Sequence, residues 1–448
     1  MITRREMLGA AATVGGAAIL GGVNGIGASH ALAADSGGPA STNPSHVGDN
    51  AKPLPPGEPG RDYTPVFTPN GVTLEYRVID GVKVLHLTAE DIEHEFAPGL
   101  KAHLWGYNGR SPGPTIEAVE GDRLRIYVTN KLPAPTTVHW HGIRVPNGMD
   151  GVNGLTQEPI PPGATFKYEF AVPDAGTFMY HPHFDEMTQQ AMGLMGMFVV
   201  HPRQRPKAPA DRDYAIMLSE WRIDPGTARP VTTEMVEFNI FTMNSKAFPA
   251  TQPLVAKLGE RIRVRFGNLS AMDHHPIHLH GMQMLLTETD GGIIPESARY
   301  AMNTVLVPVG STRAVEFVAD NPGDWVMHCH MTHHTMNQMG HGTPNLIGAN
   351  LRGLSTRVRP LVPGYMTMGQ NGMGEMADMR MPMPANTIAM LGGKGPFGTI
   401  DMGGMFTMLK VRDRITGYED PGDYAHPPGT VAVAATPEEL NRDGITTK

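Results

Sequence analysis

The sequence predicts an all-β protein made of two β-sandwich domains, and three observations carry that prediction. Glycine (53) and proline (40) together exceed a fifth of the 448 residues, while charged residues make up only 18%. This composition favours turns and short strands over long helices. Apolar and polar residues alternate in Leu124-Arg125-Ile126-Tyr127-Val128 and again in Ile262-Arg263-Val264-Arg265-Phe266, the period of a half-buried strand, and no long segment carries the helical period. The third observation is an internal repeat, described below. The net charge of −8 comes from 44 acidic and 36 basic residues with no long run of either sign, which argues against a basic nucleic-acid-binding face. A single cysteine excludes an intrachain disulfide framework. Histidine (20) and methionine (30) are numerous, and both bind soft or borderline metals, so their placement decides the chemistry.

At the N-terminus Thr3-Arg4-Arg5-Glu6-Met7-Leu8 leads into an apolar, Ala/Gly-rich run to about residue 28, followed by Ala31-Leu32-Ala33. Residues 1–33 resemble a twin-arginine export signal with an A-x-A cleavage site, which implies a periplasmic or extracellular protein; a short anchor helix is the alternative. No other stretch approaches the ~18 apolar residues of a membrane span, so none is expected after signal removal. Residues 34–64, rich in Pro, Gly, Ser, Asn and Asp, read as a flexible linker.

The repeat defines the two domains, 65–205 and 206–350. Gly121–Asn130 matches Gly259–Asn268, and the run from Thr136 to Gly142 aligns with that from His275 to Gly281. Gly163–Glu169 aligns with Gly310–Glu316, and from there both copies run without a gap to His181-Pro182-His183 and His328-Cys329-His330. The remainder, 351–448, reads as a Met-rich, mostly irregular C-terminal extension. It holds one histidine, His426, and no third copy; eleven of the 30 methionines fall between Met366 and Met408, and Met405–Val411 reads as one strand.

Histidines at i and i+2 of a strand point to one face. Four such pairs occur at equivalent places in the two copies: His139/His141, His181/His183, His278/His280 and His328/His330. One pair would be a surface feature, but eight imidazoles repeated in this way point to a copper cluster. A second set, His275, Cys329, His334 and Met339, combines two imidazoles, a thiolate and a weak thioether, the ligands of a blue-copper electron-transfer site. Zinc fits less well, since structural zinc sites close with four ligands, favour more thiolates and need no methionine. The first copy has Thr136, Pro182, Met187 and Met192 in these places, so it cannot hold a blue site, yet it can supply four histidines to a cluster.

The motifs His139-Trp140-His141-Gly142, His181-Pro182-His183, His275-Pro276-Ile277-His278-Leu279-His280 and the run His328 to Met339 resemble the four copper signatures of the multicopper oxidases. Trp105–Thr115 is similar to the segment that precedes the first motif in that family. The resemblance covers about residues 65–350. It implies two cupredoxin-like Greek-key sandwiches and four coppers per chain. His139 and His278 would hold type 2 copper; His141, His181, His183, His280, His328 and His330 the type 3 pair; and His275, Cys329 and His334 type 1, with Met339 axial. Asp150, in Gly148-Met149-Asp150-Gly151, stands where the family has a proton-donating acid, or else is a turn aspartate. Met331-Thr332-His333 departs from members with an acid just ahead of the last type 1 histidine.

The resemblance implies one-electron oxidation of Cu(I), or of phenolic or aromatic amine donors, coupled to four-electron reduction of O2 to water, with a role in copper tolerance. Having only two domains, the chain is similar to the small laccases in which the first domain meets the second of a neighbour, which implies a homotrimer with clusters between chains. A copper nitrite reductase shares the two-domain plan, but its blue-site cysteine lies in the first domain, where Pro182 stands here. A non-catalytic copper store is the other alternative. Met366, Met368, Met373, Met376, Met379, Met381 and Met383, in a Gly/Pro-rich stretch, serve either Cu(I) handling or packing on a neighbouring chain. Met187, Met192, Met195 and Met197 are expected between the domains.

Overall fold

A computed structural model describes residues 53–338, 353–358, 360–361 and 385–447. The export signal (1–33), Met339 and the methionines from Met366 to Met383 lie outside the described residues. No helix among those described is long and apolar enough to cross a membrane.

Strands dominate, as the composition predicts, and they form two sandwiches. In the first, one sheet runs in the order Arg77–Ile79, Val82–Ala97, Arg123–Asn130, Thr165–Ala171, with Leu100–Tyr107 paired to Val82–Ala97. The other runs Gly113–Val119, Gly196–His201, Gly176–His181, His139–His141. The second sandwich repeats this plan. Its histidine-bearing sheet runs Leu254–Lys257, Phe406–Arg412, Gly323–Cys329, His275–Leu279, Thr304–Val307. Its other sheet centres on Arg212–Trp221, Arg261–Asn268, Thr312–Val318 and Met284–Thr289.

Arg123–Asn130 alternates half-buried and buried residues along its whole length, as its sequence predicts. Arg261–Asn268 begins the same way but is buried from Val264 onward. The reason is tertiary: Arg265 lies at the domain junction, paired with Asp213 (2.9 Å) and Glu288 (3.0 Å) and donating to Thr177 Oγ1 of the first sandwich (2.6 Å). Two carboxylates thus offset the cost of burying one guanidinium. Apolar side chains fill the rest of this junction, including Met179, Met195, Met197 and Met217. Met192 belongs instead to the first sandwich's own core and Met187 is exposed, so only two of the four methionines expected between the domains are there.

The described part of the linker, 53–64, is held against the first sandwich. The buried Asp122 carboxylate accepts from the Gly57 amide and pairs with Lys83 and Arg203, and the Tyr63 ring stacks on His201. Val66–Phe67 then pairs in parallel with Arg212–Trp221 of the second sandwich.

The strand read at 405–411 is Phe406–Arg412, and it closes the second sandwich. It pairs antiparallel with Gly323–Cys329 and parallel with Leu254–Lys257, just as Gly196–His201 pairs with Gly176–His181 and Gly113–Val119 in the first. His181 and His328 are counterparts 147 positions apart, whereas the closing-strand counterparts His201 and Arg412, opposite Val119 and Lys257, are 211 apart. Sixty-four residues are therefore inserted between the second histidine motif and the strand that completes its sheet. The Met-rich run belongs to this insertion rather than to a trailing extension.

Candidate metal centre

Adjacent strands bring the sulfur site together. Ile277, two residues after His275, lies opposite Cys329, and a short 3-10 turn, Thr332–Thr335, returns His334 to the same point. All three side chains are buried. Cys329 Sγ lies 3.4 Å from His334 Nδ1 and 3.8 Å from His275 Nδ1, and the two nitrogens are 3.2 Å apart. The far nitrogens are engaged elsewhere: His275 Nε2 contacts Ser270 Oγ (2.7 Å) and His334 Nε2 faces the Asp273 carboxylate (3.4 Å). A carboxylate only accepts, so the His334 proton belongs on Nε2 and its Nδ1 presents a lone pair. Burial pushes the Cys329 thiol up to about 12. Burial, and then the neighbouring His334, pushes His275 down to about 3. Lone pairs and a thiol converging in a dry pocket lack a positive partner, and a soft cation fits them. The Phe241 ring stacks on His334 with centroids 4.0 Å apart.

The eight paired histidines form two separate quartets. In the first, rings of His139, His141, His181 and His183 have centroids 5.4–6.5 Å apart; in the second, those of His278, His280, His328 and His330 are 4.8–5.7 Å apart. Among the described residues no ring contact joins the quartets. His139 lies opposite His181, and His278 opposite His328. Only His139/His141 lies wholly within a strand; in the other pairs the second ring stands just past the strand end.

Orientation is set by main-chain carbonyls. His139 Nδ1 donates to Asp150 O (2.7 Å) and its counterpart His278 Nδ1 to Asn303 O (2.8 Å). His181 Nδ1 donates to Pro182 O (3.0 Å) and its counterpart His328 Nδ1 to Cys329 O (2.8 Å). Each ring is thereby left with an Nε2 lone pair, the arrangement of a metal-ligating histidine. His141 Nδ1 comes within 3.2 Å of His181 Nε2, and His280 Nε2 within 3.4 Å of His328 Nε2. Burial, then the neighbouring imidazoles, lowers His181 to about 3. The first quartet opens on a cavity of about 550 Å³, whereas His280 and His330 are exposed on the surface of the second sandwich.

Asp150 sits beside the first quartet, its Oδ1 3.5 Å from His139 Nδ1. Sequence reasoning missed a second carboxylate, Glu186, which lies 3.4 Å from His181 Nδ1 and 3.7 Å from His183 Nε2. It also missed Ser270, Asp273 and Phe241 around the sulfur site. For Glu186 its place three residues after His183 was an available signal; the others sit on loops and a strand with no motif.

Two family models, both described as multicopper oxidase, match residues 88–205 and 224–345. The chain is 26% identical over 346 residues to the copper resistance protein A of Escherichia coli, covering 66% of this chain and 55% of that one. It spans about half the length of the curated relatives it matches. Among solved structures it resembles a blue copper oxidase from Nitrosomonas europaea (27% identity, 73% of this chain and 85% of that one, TM-score 0.52). It also resembles the multicopper oxidase mgLAC (28% identity, 74% and 87%, TM-score 0.54).

Proposed function

The chain belongs to the multicopper oxidase family, and from that premise we propose that it is an exported oxidase. It takes electrons singly from Cu(I), or from phenolic or aromatic amine donors, and uses them to reduce O2 to water. His275, Cys329 and His334, with Met339, would hold type 1 copper. His139 and His278 would hold type 2, and the other six paired histidines the type 3 pair. Bound copper supplies the one-electron acceptance and the O2 reduction that no side chain can perform. The observation that supports this reading is the thiol and two imidazole nitrogens converging in a buried site directly beside a histidine quartet.

The protein's own groups have definable tasks. Cys329 stands between His328 and His330, so covalent bonds alone join the sulfur site to two imidazoles of the second quartet. The carbonyls of Asp150, Asn303, Pro182 and Cys329 hold four rings in one tautomer. Asp150 Oδ1, 3.5 Å from His139 Nδ1, is the carboxyl oxygen placed to relay protons for the reduction of O2. Asp150→Asn is expected to leave copper content and blue colour unchanged while lowering kcat by about a hundredfold or more, the usual contribution of a positioned acid. An unaltered kcat would assign Asp150 to the turn alone.

Each quartet by itself offers four imidazoles, and a three-copper cluster needs both. The separation of the quartets within one chain, together with the exposure of His280 and His330, supports a closed homotrimer in which the first sandwich of one chain meets the second of its neighbour. Copper tolerance is the role that fits Cu(I) as donor. The test is copper stoichiometry on the purified protein with O2 uptake measured on Cu(I) and on a phenol. Four coppers per chain and O2 consumption are expected; copper bound without O2 uptake from either donor would leave a copper store.

A further inference from the structure

The inserted segment does more than interrupt the second sandwich: we propose that the turn Gly403-Gly404-Met405, where it rejoins the sheet, is a positioning element for the sulfur site. Met405 binds the main chains of two ligand residues at once. Its amide donates to His334 O (2.9 Å), and its carbonyl accepts from the Cys329 amide (3.1 Å). The Gly403 amide donates to Thr335 O (2.6 Å). Cys329 and His334 are thus fixed relative to each other by one residue remote in sequence, through the two peptide units that flank it, while the Met405 side chain is buried in the second core.

Two further residues make the turn specific. Gly404 has φ 58, and a Cβ there would collide with the His334 carbonyl oxygen, so only glycine fits. Asn337, buried, accepts from the Gly404 amide (3.0 Å) and donates to Phe248 O (3.3 Å) and Ala389 O (3.1 Å). Its own amide donates to Met390 O (2.7 Å). The chain that leaves the ligand loop at Asn337 is therefore bonded to the chain that returns at 389–405. The geometry ties the two described ends of the insertion to each other at the sulfur site, and the returning turn sets the spacing of Cys329 and His334.

The inference rests on the proposed copper site, so its test includes a readout that needs no metal. Gly404→Ala is compared with Gly398→Ala, which also places a side chain on a positive-φ glycine of the insertion but meets nothing within 4 Å. In metal-free protein, the Cys329 thiol is titrated with an aromatic disulfide. The thiolate displaces one aromatic thiolate and forms a mixed disulfide, at a rate set by opening of the site. Gly404→Ala is expected to speed this reaction about tenfold, the scale of losing a supporting partner, and Gly398→Ala to leave it unchanged. In copper-loaded protein the Gly404 variant is expected to shift the blue band and the type 1 reduction potential with histidine-cluster copper retained. Should Gly404→Ala not fold, Asn337→Ala loosens the turn without adding an atom and carries the same expectations. Equal thiol rates and an unmoved band and potential, or equal changes in the Gly398 control, would overturn the proposal. A wild-type protein with no blue band but a Gly404-dependent thiol rate would overturn the copper assignment and keep the clamp.

Discussion

Cys329→Ser is expected to abolish the blue colour, remove one copper per chain and lower O2 turnover far beyond the ~10–100-fold that loss of an outer-shell partner costs. The substitution changes little else. Cys329 is fully buried in the second core, and serine is close in size, so no large cavity opens. What changes is the donor. The sulfur that faces His275 Nδ1 and His334 Nδ1 at 3.8 and 3.4 Å is soft and polarizable, and a hydroxyl in its place neither ionises nor prefers a soft cation. The only other route for electrons would bypass the bonds linking residue 329 to His328 and His330. Visible spectra, copper analysis and an oxygen electrode read the three effects together. Retained blue absorption, or turnover within tenfold of wild type, would remove Cys329 from the electron path.

Intersubunit complementation is the second large effect. One variant carries His139→Ala and His141→Ala, which removes half of the first quartet; the other carries His328→Ala and His330→Ala, which removes half of the second. Each alone is expected to be inactive. If clusters form between chains of a closed ring, equal mixtures assembled together restore intact pairs of quartets at about a quarter of the interfaces, and turnover should recover to about that fraction. The restored interfaces keep an intact Cys329 site, because it travels with the intact second quartet on the same chain. A cluster within one chain would show no recovery at any mixing ratio. That result, or full activity in a species sedimenting as a monomer, would sink the trimer.

Much of the site is legible in the sequence. The period-2 alternation located the strands, and the duplicated pairs identified eight ligand candidates by type and equivalence. The sequence around Cys329 singled out His275 and His334, whose Nδ1 atoms the fold brings to 3.8 and 3.4 Å from its sulfur, while Met339 lies outside the described residues. The acids and rings that support these groups were not legible. Asp273 reaches His334 across 61 positions, Phe241 stacks on it from 93 positions away, and Ser270 is a serine among many. Half-burial was also misread at Arg265, whose alternating neighbours gave no sign that a second domain would cover them and that Asp213 and Glu288 would compensate the charge.

What the sequence determined by itself is local: which residues face one side of a strand, that Cys329 is covalently flanked by two histidines, and that one domain was duplicated. These follow from backbone period and covalent order. Tertiary structure alone decided how these histidines are grouped, since each quartet gathers on its own sandwich and, among the described residues, no ring contact joins the two. It also decided that Phe406–Arg412 completes the second sheet after 64 inserted residues. Strand pairing is a contact between peptide groups rather than side-chain types, so nothing in the residues of a strand names its distant neighbour until the sheet has formed.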